Sequence, residues 1–267
     1  MPATAISLPV TATSSEGPET APPLVIAHGL FGQARNFASL AKRFAAGRRV
    51  LTVDMRNHGE APHAEPMDYP AMAADLASVI AGEAGGRAVL LGHSMGGKAA
   101  MTLALSYPDC LAALIVADIA PVAYEHYEHG SILGALRAAD LSGVTRRSEA
   151  DPILAPDIPD PGIRAFILQN LAVDREGARW RPGLAEIEAG MPAILGFPED
   201  FLEPAFEGPT LFLHGAASHY VLPEHHPRIR ALFPDAEIEA LPGAGHWLHA
   251  EKPDAFHAAV TRFLETL

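Results

Sequence analysis

Short apolar runs alternate with helical patterns between residues 24 and 118. Continuously apolar runs predict strands at 24–28, 48–54, 87–93 and 111–121. Apolar residues at helical spacing predict helices between them at 36–47, 69–83 and 95–108. Strands that are apolar on both faces are typical of a parallel sheet covered by helices on both sides. The alternation therefore predicts an α/β core with right-handed crossovers.

The alternation stops after Pro121. Residues 122–207 contain helical patterns at 131–141 and 162–173 but no convincing strand pattern. The proline-rich stretch 150–162 between them is a poor candidate for regular structure. This segment is therefore predicted to be a helical insertion.

Alternation resumes near residue 208 and continues to the last helical pattern of the chain. Strands are predicted at 209–215 and 236–243, and helices at 224–233 and 253–267. We therefore predict one α/β core, formed by residues 1–121 and 208–267, into which residues 122–207 are inserted as a cap.

The composition predicts a folded protein with an acidic surface. Hydrophobic residues make up 49% of the 267 residues and charged residues 19%, which allows a sizeable core. The formal net charge of -13 argues against binding to nucleic acid or to anionic membranes, because both require a basic surface. Cys110 is the sole cysteine, so an internal disulfide is impossible. No signal-peptide pattern and no apolar run near the ~20 residues of a membrane span occurs, so we expect a cytoplasmic monomer or small homo-oligomer.

The strongest chemical signal is the run Gly92-His93-Ser94-Met95-Gly96, which fits the pattern G-x-S-x-G between a predicted strand and a predicted helix. A reversal this sharp strains the backbone at Ser94 and exposes its Oγ, and the two glycines remove side chains that would clash. The amide of Met95 then points toward the space above Ser94, where the helix N-terminus favours an oxyanion. We interpret Ser94 as a nucleophile, the alternative being a turn of small residues for tight packing.

His246 is the candidate for the base that a serine nucleophile needs. It follows a predicted strand and a glycine-rich loop, which places it at the same sheet edge as Ser94 if the sheet is parallel. His249 is the competitor, and we favour for it a structural role with Glu251.

A second oxyanion donor is expected in the turn after the first long strand. A His-Gly pair at 28–29 ends that strand, and the amides that follow can face the nucleophile. We predict the amide of Leu30 as the donor, with Phe31 as the alternative, and expect their side chains to form an apolar wall. Phe31, His93 and Trp247 are the side chains expected to contact substrate.

Five motifs of the chain resemble those of the α/β-hydrolase fold superfamily: HGLFG (28–32), DMRNHG (54–59), GHSMGGK (92–98), VADIAP (116–121) and GAGHWLHAEKP (243–253). They are most similar to its small bacterial carboxylesterase branch, which resembles a mitochondrial abhydrolase group. The resemblance implies a mostly parallel eight-stranded sheet flanked by helices, with two strands from residues 5–20 and a helical cap after the sixth strand. It also implies a Ser-His-acid triad and ester hydrolysis without a cofactor. Ala61 departs from this branch, which often has serine there, and Lys98 is expected to make local contacts on its helix.

Many α/β hydrolases have the acid of the triad in a turn after the seventh strand, but the matching position here is Ser218. The acid must therefore leave the end of another strand near the nucleophile. Asp118 meets this condition, and its apolar neighbours would make a lone carboxylate costly without a partner such as a histidine. The alternative is a capping or turn aspartate that precedes the cap. Asp54 is expected to organise its own turn with Arg56 as partner. Three further acids lie on or beyond a helix or at the wrong end of a connection: Asp109, Glu224 and Asp235.

We therefore predict a serine carboxylesterase with the triad Ser94, Asp118 and His246, acting on small-molecule esters with short to medium acyl chains. A thioesterase and a cofactor-free haloperoxidase or perhydrolase are alternatives with the same triad. A non-catalytic small-molecule-binding protein on this scaffold is the alternative of another class. We expect no cofactor and no metal, because no G-x-G-x-x-G opens the first unit and the histidine pairs 126/129 and 225/226 form no metal pattern.

Overall fold

A computed structural model describes residues 5–14, 19–124, 128–198 and 205–267 of the chain. His126, considered above as a metal ligand, and the side chain of His129 lie outside this part. The described strands are β1 (Val10–Thr13), β2 (Leu24–Ala27), β3 (Val50–Val53), β4 (Ala88–His93), β5 (Leu111–Ala117), β6 (Leu171–Asp174), β7 (Gly177–Trp180), β8 (Thr210–Gly215) and β9 (Ala236–Leu241).

Seven of these strands form one sheet in the order β1-β3-β2-β4-β5-β8-β9. Neighbouring strands are parallel except for β1, which pairs antiparallel with β3 at one edge. Strands β2, β3 and β4 are buried along their whole length, as their continuous apolar runs predict. Because the strands are parallel, the loops that follow β2, β4, β5, β8 and β9 lie together at the carboxyl ends of the strands.

Ten α-helices lie within the described residues, and the predicted helices of the core are confirmed. They are α1 (Ala38–Phe44), α2 (Tyr69–Glu83), α3 (Met95–Ser106), α4 (Glu128–Ala138), α5 (Arg147–Leu154), α6 (Pro161–Leu168), α7 (Leu184–Leu195), α8 (His226–Leu232), α9 (Leu248–Glu251) and α10 (Pro253–Leu264). Short 3-10 turns lie at Ala34–Phe37, Pro108–Cys110 and Pro223–His225. Helix α2 spans the whole predicted range, since Asp68 accepts a hydrogen bond from the amide of Ala71 at its start.

The sheet separates two hydrophobic layers. Apolar residues of α1 and α10 pack on one face, and those of α2, α3, α8 and the inserted helices pack on the other. Within the described residues, no helix is both long enough and apolar enough to pass through a membrane.

The N-terminal segment differs from the expectation of an eight-stranded sheet. Strand β1 is the one strand that the structure describes between residues 5 and 20, so the described sheet has seven strands, and residues 15–18 lie outside the description. The residues before β1 lie against α2, where the amide of Ile6 donates to Oδ1 of Asp75 over 2.7 Å. This contact joins the start of the described chain to α2.

The segment between β5 and β8 contains α4 to α7 and an antiparallel hairpin of β6 and β7. The prediction that this segment has no strand is wrong. The hairpin was missed because each of its strands has four residues, too few for an alternating pattern to show. The prediction for the proline-rich stretch holds only for its middle, residues 155–160, which lie outside helices and strands, while both of its ends are helical. Pro152 lies in the last turn of α5, and Pro161 opens α6, where Asp160 accepts from the amide of Ile163.

A fully buried ion pair holds the loop after β3 on helix α2. The guanidinium of Arg56 donates to both carboxylate oxygens of Asp75 over 2.7 and 2.9 Å, and both side chains are 0% exposed. The expectation that Arg56 is the partner of Asp54 is therefore wrong, because Arg56 pairs with Asp75. Asp54 does organise its own turn, since it accepts from the amides of Ala34 and Glu60.

Replacing Asp75 with asparagine is expected to lower the free energy of unfolding by about 3 kcal/mol or more, because it leaves the Arg56 charge buried without its counter-charge. The matched control is Asp254→Asn, which removes an exposed pair with Arg43 and should cost less than about 1 kcal/mol. Urea unfolding of both variants measures the difference. Equal effects of the two substitutions would contradict this account of the pair.

Candidate active site

Ser94 lies at a sharp reversal between β4 and α3. Its φ of 52° and ψ of -118° place it in a strained region of backbone space, and its amide donates to the carbonyl of Ala117 over 3.0 Å. A Cβ atom added at Gly92 would overlap the carbonyl group of Gly96. A Cβ atom added at Gly96 would overlap the carbonyl group of Ala27. The two glycines of the motif are thus required by the close approach of three backbone segments.

Two hydrogen bonds link Ser94, His246 and Asp118 in a row. Nε2 of His246 lies 3.1 Å from Oγ of Ser94, and Nδ1 of the same ring lies 2.7 Å from Oδ2 of Asp118. Ser94 directly follows β4, Asp118 directly follows the neighbouring β5, and His246 lies in the loop after β9. The structure therefore brings together the three residues that the sequence analysis selected, in spacing and orientation suited to proton transfer.

The carboxylate of Asp118 is buried and surrounded by donors. Its backbone has a φ of 52°, and its amide donates to the carbonyl of Leu213 on β8 over 3.0 Å. Oδ1 accepts from the amide of Gly215 over 2.9 Å, and Oδ2 also accepts from Oγ of Ser218 over 2.5 Å. Burial raises the pKa of Asp118, and the bonds from Ser218 and Gly215 act against that rise. Ser218 is therefore a hydrogen-bond donor to the buried carboxylate of Asp118.

The loop that carries His246 is fixed from several sides. Nε2 of His93 donates a hydrogen bond to the backbone carbonyl of His246 over 2.9 Å. The Tyr220 ring packs on the His246 ring at a centroid distance of 4.1 Å. Glu251 accepts from the amides on both sides of His246, those of Gly245 and Trp247, over 2.6 and 3.2 Å. Burial lowers the pKa of the His246 imidazole, which keeps it neutral and able to accept a proton.

His249 does not pair with Glu251, so that part of the expectation is wrong. Its ring stacks on Phe37 at 4.5 Å and meets the ring of His93 edge to face at 4.5 Å. Its Nδ1 has no hydrogen-bond partner among the described residues. The ring is a buried packing element beside the site, and burial lowers its pKa.

The loop after β2 passes directly over Ser94. A Cβ at Gly29 would lie 3.1 Å from Cβ of Ser94, so glycine permits this close approach. The amide of Gly32 donates to the carbonyl of Gly29 over 2.9 Å, which makes Leu30 and Phe31 the two central residues of a turn. Leu30 lines the narrow space above Ser94. The structure thus brings the backbone of this loop to Ser94, as predicted.

Met95 is the first residue of α3 and is buried beside Ser94. The first amides of a helix have no partner within it and point away from its N-terminus. The amide of Met95 therefore belongs to a set of donors at the end of α3 nearest Ser94, where the helix dipole favours negative charge.

A cleft of about 670 Å³ leads from the surface toward this space. It lies between the turn at 34–37, helix α6 and helix α9, and it shares Phe166 and Trp247 with the walls of the space above Ser94. His93 and Trp247, which were predicted to contact substrate, line that narrow space. The side chain of Phe31 is instead buried in the core, with its ring 6.5 Å from that of His58.

Lys98 makes long-range contacts instead of the expected local ones. It is buried on α3, and its Nζ donates to the carbonyls of Leu195 and Gly196 at the end of α7 over 3.0 and 2.5 Å. The ammonium also lies over the Tyr124 ring at 4.7 Å. Burial lowers the pKa of Lys98 to about 7. The helix that follows Ser94 is thus joined to the inserted segment.

Comparisons with known proteins agree with this fold. A sequence model described as "Alpha/beta hydrolase family" matches residues 24–259. The chain is 44% identical over 264 residues to "sn-1-specific diacylglycerol lipase ABHD11" of Mus musculus, covering 96% of this chain and 85% of that one. It is 36% identical over 259 residues to "Esterase YbfF" of Escherichia coli, covering 97% and 99% of the two chains.

A solved structure titled "Marine microorganism esterase" superposes with a TM-score of 0.92 at 34% identity, over 97% of this chain and 100% of that chain. The sequence model and these relatives span nearly the whole of the described core and the insertion. The chain belongs to the α/β hydrolase family and is an enzyme of its esterase type.

Proposed function

We propose that the protein hydrolyses small carboxylic esters through an acyl-enzyme formed on Ser94. The observation that supports this best is the pair of hydrogen bonds that joins Ser94 to His246 and His246 to Asp118. A serine hydroxyl is a weak nucleophile, and a neutral imidazole within hydrogen-bond distance is the base it requires. The buried carboxylate fixes the proton on Nδ1 and leaves Nε2 free to accept.

In the first half of the reaction, Nε2 of His246 takes the proton of Ser94 while Oγ forms a bond to the ester carbonyl carbon. The carbonyl electron pair moves to its oxygen. Its return expels the alkoxide, which leaves as an alcohol with the proton from His246. Water then attacks the acyl-enzyme by the same steps, and the products are a carboxylic acid and the free serine. Asp118 stabilises the imidazolium in both halves.

The amides of Leu30 and Met95 are proposed as the donors to the tetrahedral oxyanion. The close passage of Gly29 over Ser94 supports the first, and the position of Met95 at the N-terminus of α3 supports the second. Two preorganised amides in a space with little water stabilise negative charge without reorganising during the reaction.

The cleft suggests esters with short to medium acyl chains. Part of its wall is apolar, formed by Ile163 and Phe166 of α6 and by Trp247. The rest of the wall carries polar side chains: Arg35, Asn36, Asp160, Gln169, His249 and Glu251. A cleft of about 670 Å³ accommodates a small-molecule ligand. Relatives named as an esterase and as a lipase favour oxygen esters over thioester or peracid chemistry, which the same three residues could also perform.

A fluorophosphonate is expected to modify Ser94 and no other residue, since the reagent needs an activated serine. The protein should hydrolyse p-nitrophenyl esters, fastest for short to medium chains, and both properties should be lost in Ser94→Ala. Intact-mass spectrometry and ester assays measure these outcomes. A wild-type protein that binds esters without forming the adduct would support a non-catalytic binding protein and contradict the proposal.

Asp118→Asn is expected to lower kcat by about 10³- to 10⁴-fold, because the imidazole loses its orienting carboxylate. Ser218 lies beside the same carboxylate oxygen, so adding Ser218→Asp should supply a substitute acid and restore roughly tenfold or more of the lost rate. The control in the Asp118→Asn background is Ser218→Asn, which has the same shape without the charge. Full activity of Asp118→Asn would show that another residue is the acid.

A further inference from the structure

The turn above Ser94 contains a residue in an unusual backbone conformation. Phe31 has a φ of 58°, in the left-handed region that glycine normally occupies at the third position of such a turn. A non-glycine residue is held there only when its surroundings compensate the strain. A contact with another part of the chain must therefore keep this turn from relaxing away from Ser94.

The compensating contact comes from the inserted segment. Nδ2 of Asn170 donates to the carbonyl of Phe31 over 2.6 Å, and the amide of Gly32 in the same peptide unit donates to the carbonyl of Gly29 over 2.9 Å. Both ends of the Phe31–Gly32 peptide unit are therefore bonded. Rotating that unit would break two hydrogen bonds. The Gly29 carbonyl that accepts one of them belongs to the same peptide unit as the Leu30 amide, so the orientation of the Leu30 amide is fixed as well.

Asn170 is well placed to act as a fixed support. It lies between α6 and β6 and is 1% exposed. Its own backbone is bonded at both ends, since its amide donates to the carbonyl of Ile167 over 2.9 Å and its carbonyl accepts from the amide of Arg181 over 3.0 Å. Oδ1 accepts from Nε2 of Gln33 over 3.4 Å. The side chain therefore has a defined orientation, with its donor toward Phe31 and its acceptor toward Gln33.

Neighbouring contacts join the same two segments at the surface. The guanidinium of Arg35 donates to the carbonyl of Gln169, and Nδ2 of Asn36 donates to Oε1 of Gln169 over 2.8 Å. The insertion thus touches the chain after β2 through two consecutive residues, Gln169 outside and Asn170 inside. Of these, only Asn170 reaches the carbonyl of the strained residue.

We propose that Asn170 is a positioning residue of the oxyanion site, holding the Phe31 turn so that the Leu30 amide stays over Ser94. This inference rests on the proposed ester hydrolysis. It gives the inserted segment a part in the chemical step through a buried side chain that does not touch the reacting atoms. Losing such a support should weaken binding of the transition state more than binding of the ester, because only the transition state has the oxyanion.

The test compares Asn170→Ala with Trp180→Phe. The control removes another side-chain bond to a backbone carbonyl, from Nε1 of Trp180 to Leu136 over 2.9 Å, wholly within the insertion. Asn170→Ala is expected to lower kcat about tenfold to hundredfold with KM within about twofold, less than the loss of an oxyanion donor itself. Inhibition by hexyl trifluoromethyl ketone, which forms a tetrahedral oxyanion on serine, should weaken by the same factor as kcat/KM. Trp180→Phe should change neither.

Two further measurements keep the outcome decisive. Asn170→Asp has the same shape but faces the Phe31 carbonyl with an acceptor, so its kcat should be at or below that of Asn170→Ala. Hydrogen exchange of the peptide covering residues 28–34 should speed up in both variants, whether or not the protein turns over esters. Unchanged exchange, or a kcat within twofold of wild type, would overturn the proposal. A wild-type protein without esterase activity but with faster exchange in the variants would overturn the proposed function and leave the contact in place.

Discussion

The buried contact between the carboxylate of Asp118 and the imidazole of His246 is the interaction on which the rest of the site depends. A carboxylate at 0% exposure is costly unless its lone pairs are satisfied, and here Gly215, Ser218 and His246 all donate to it. The same bonds fix the imidazole, so Nε2 can face only Ser94. The same hydrogen bonds therefore stabilise the buried carboxylate of Asp118 and orient the imidazole of His246.

Two of the contacts that join the inserted segment to the core lie on elements that bear a proposed oxyanion donor. Lys98 on α3, three residues after Met95, donates to the carbonyls at the end of α7. Asn170 donates to the carbonyl of Phe31, next to Leu30. The proposed support by Asn170 therefore links the Leu30 amide to a segment that follows both of these donors in the chain.

The sequence was sufficient for features that depend on local pattern, and insufficient for those that depend on distant contacts. The strand-Ser94-helix reversal follows from the motif and its glycines, and Asp118 follows from the rule that an acid must end a strand near the nucleophile. The hairpin of β6 and β7 was missed because four-residue strands show no period. Asn170 gave no signal, since its partner Phe31 lies 139 positions away. Glu251 could have been assigned to the His246 loop from its position five residues after that histidine.

The most direct test of the buried pair is the proton on Nδ1 of His246. A proton shared between an imidazole and a buried carboxylate is expected to resonate far downfield of the backbone amides in a ¹H NMR spectrum, and ¹⁵N-histidine labelling assigns it. The account predicts that this signal is present in the wild type, retained in Ser218→Ala and absent in Asp118→Ala. A signal that persists in Asp118→Ala would show that another group accepts the proton and would contradict the account.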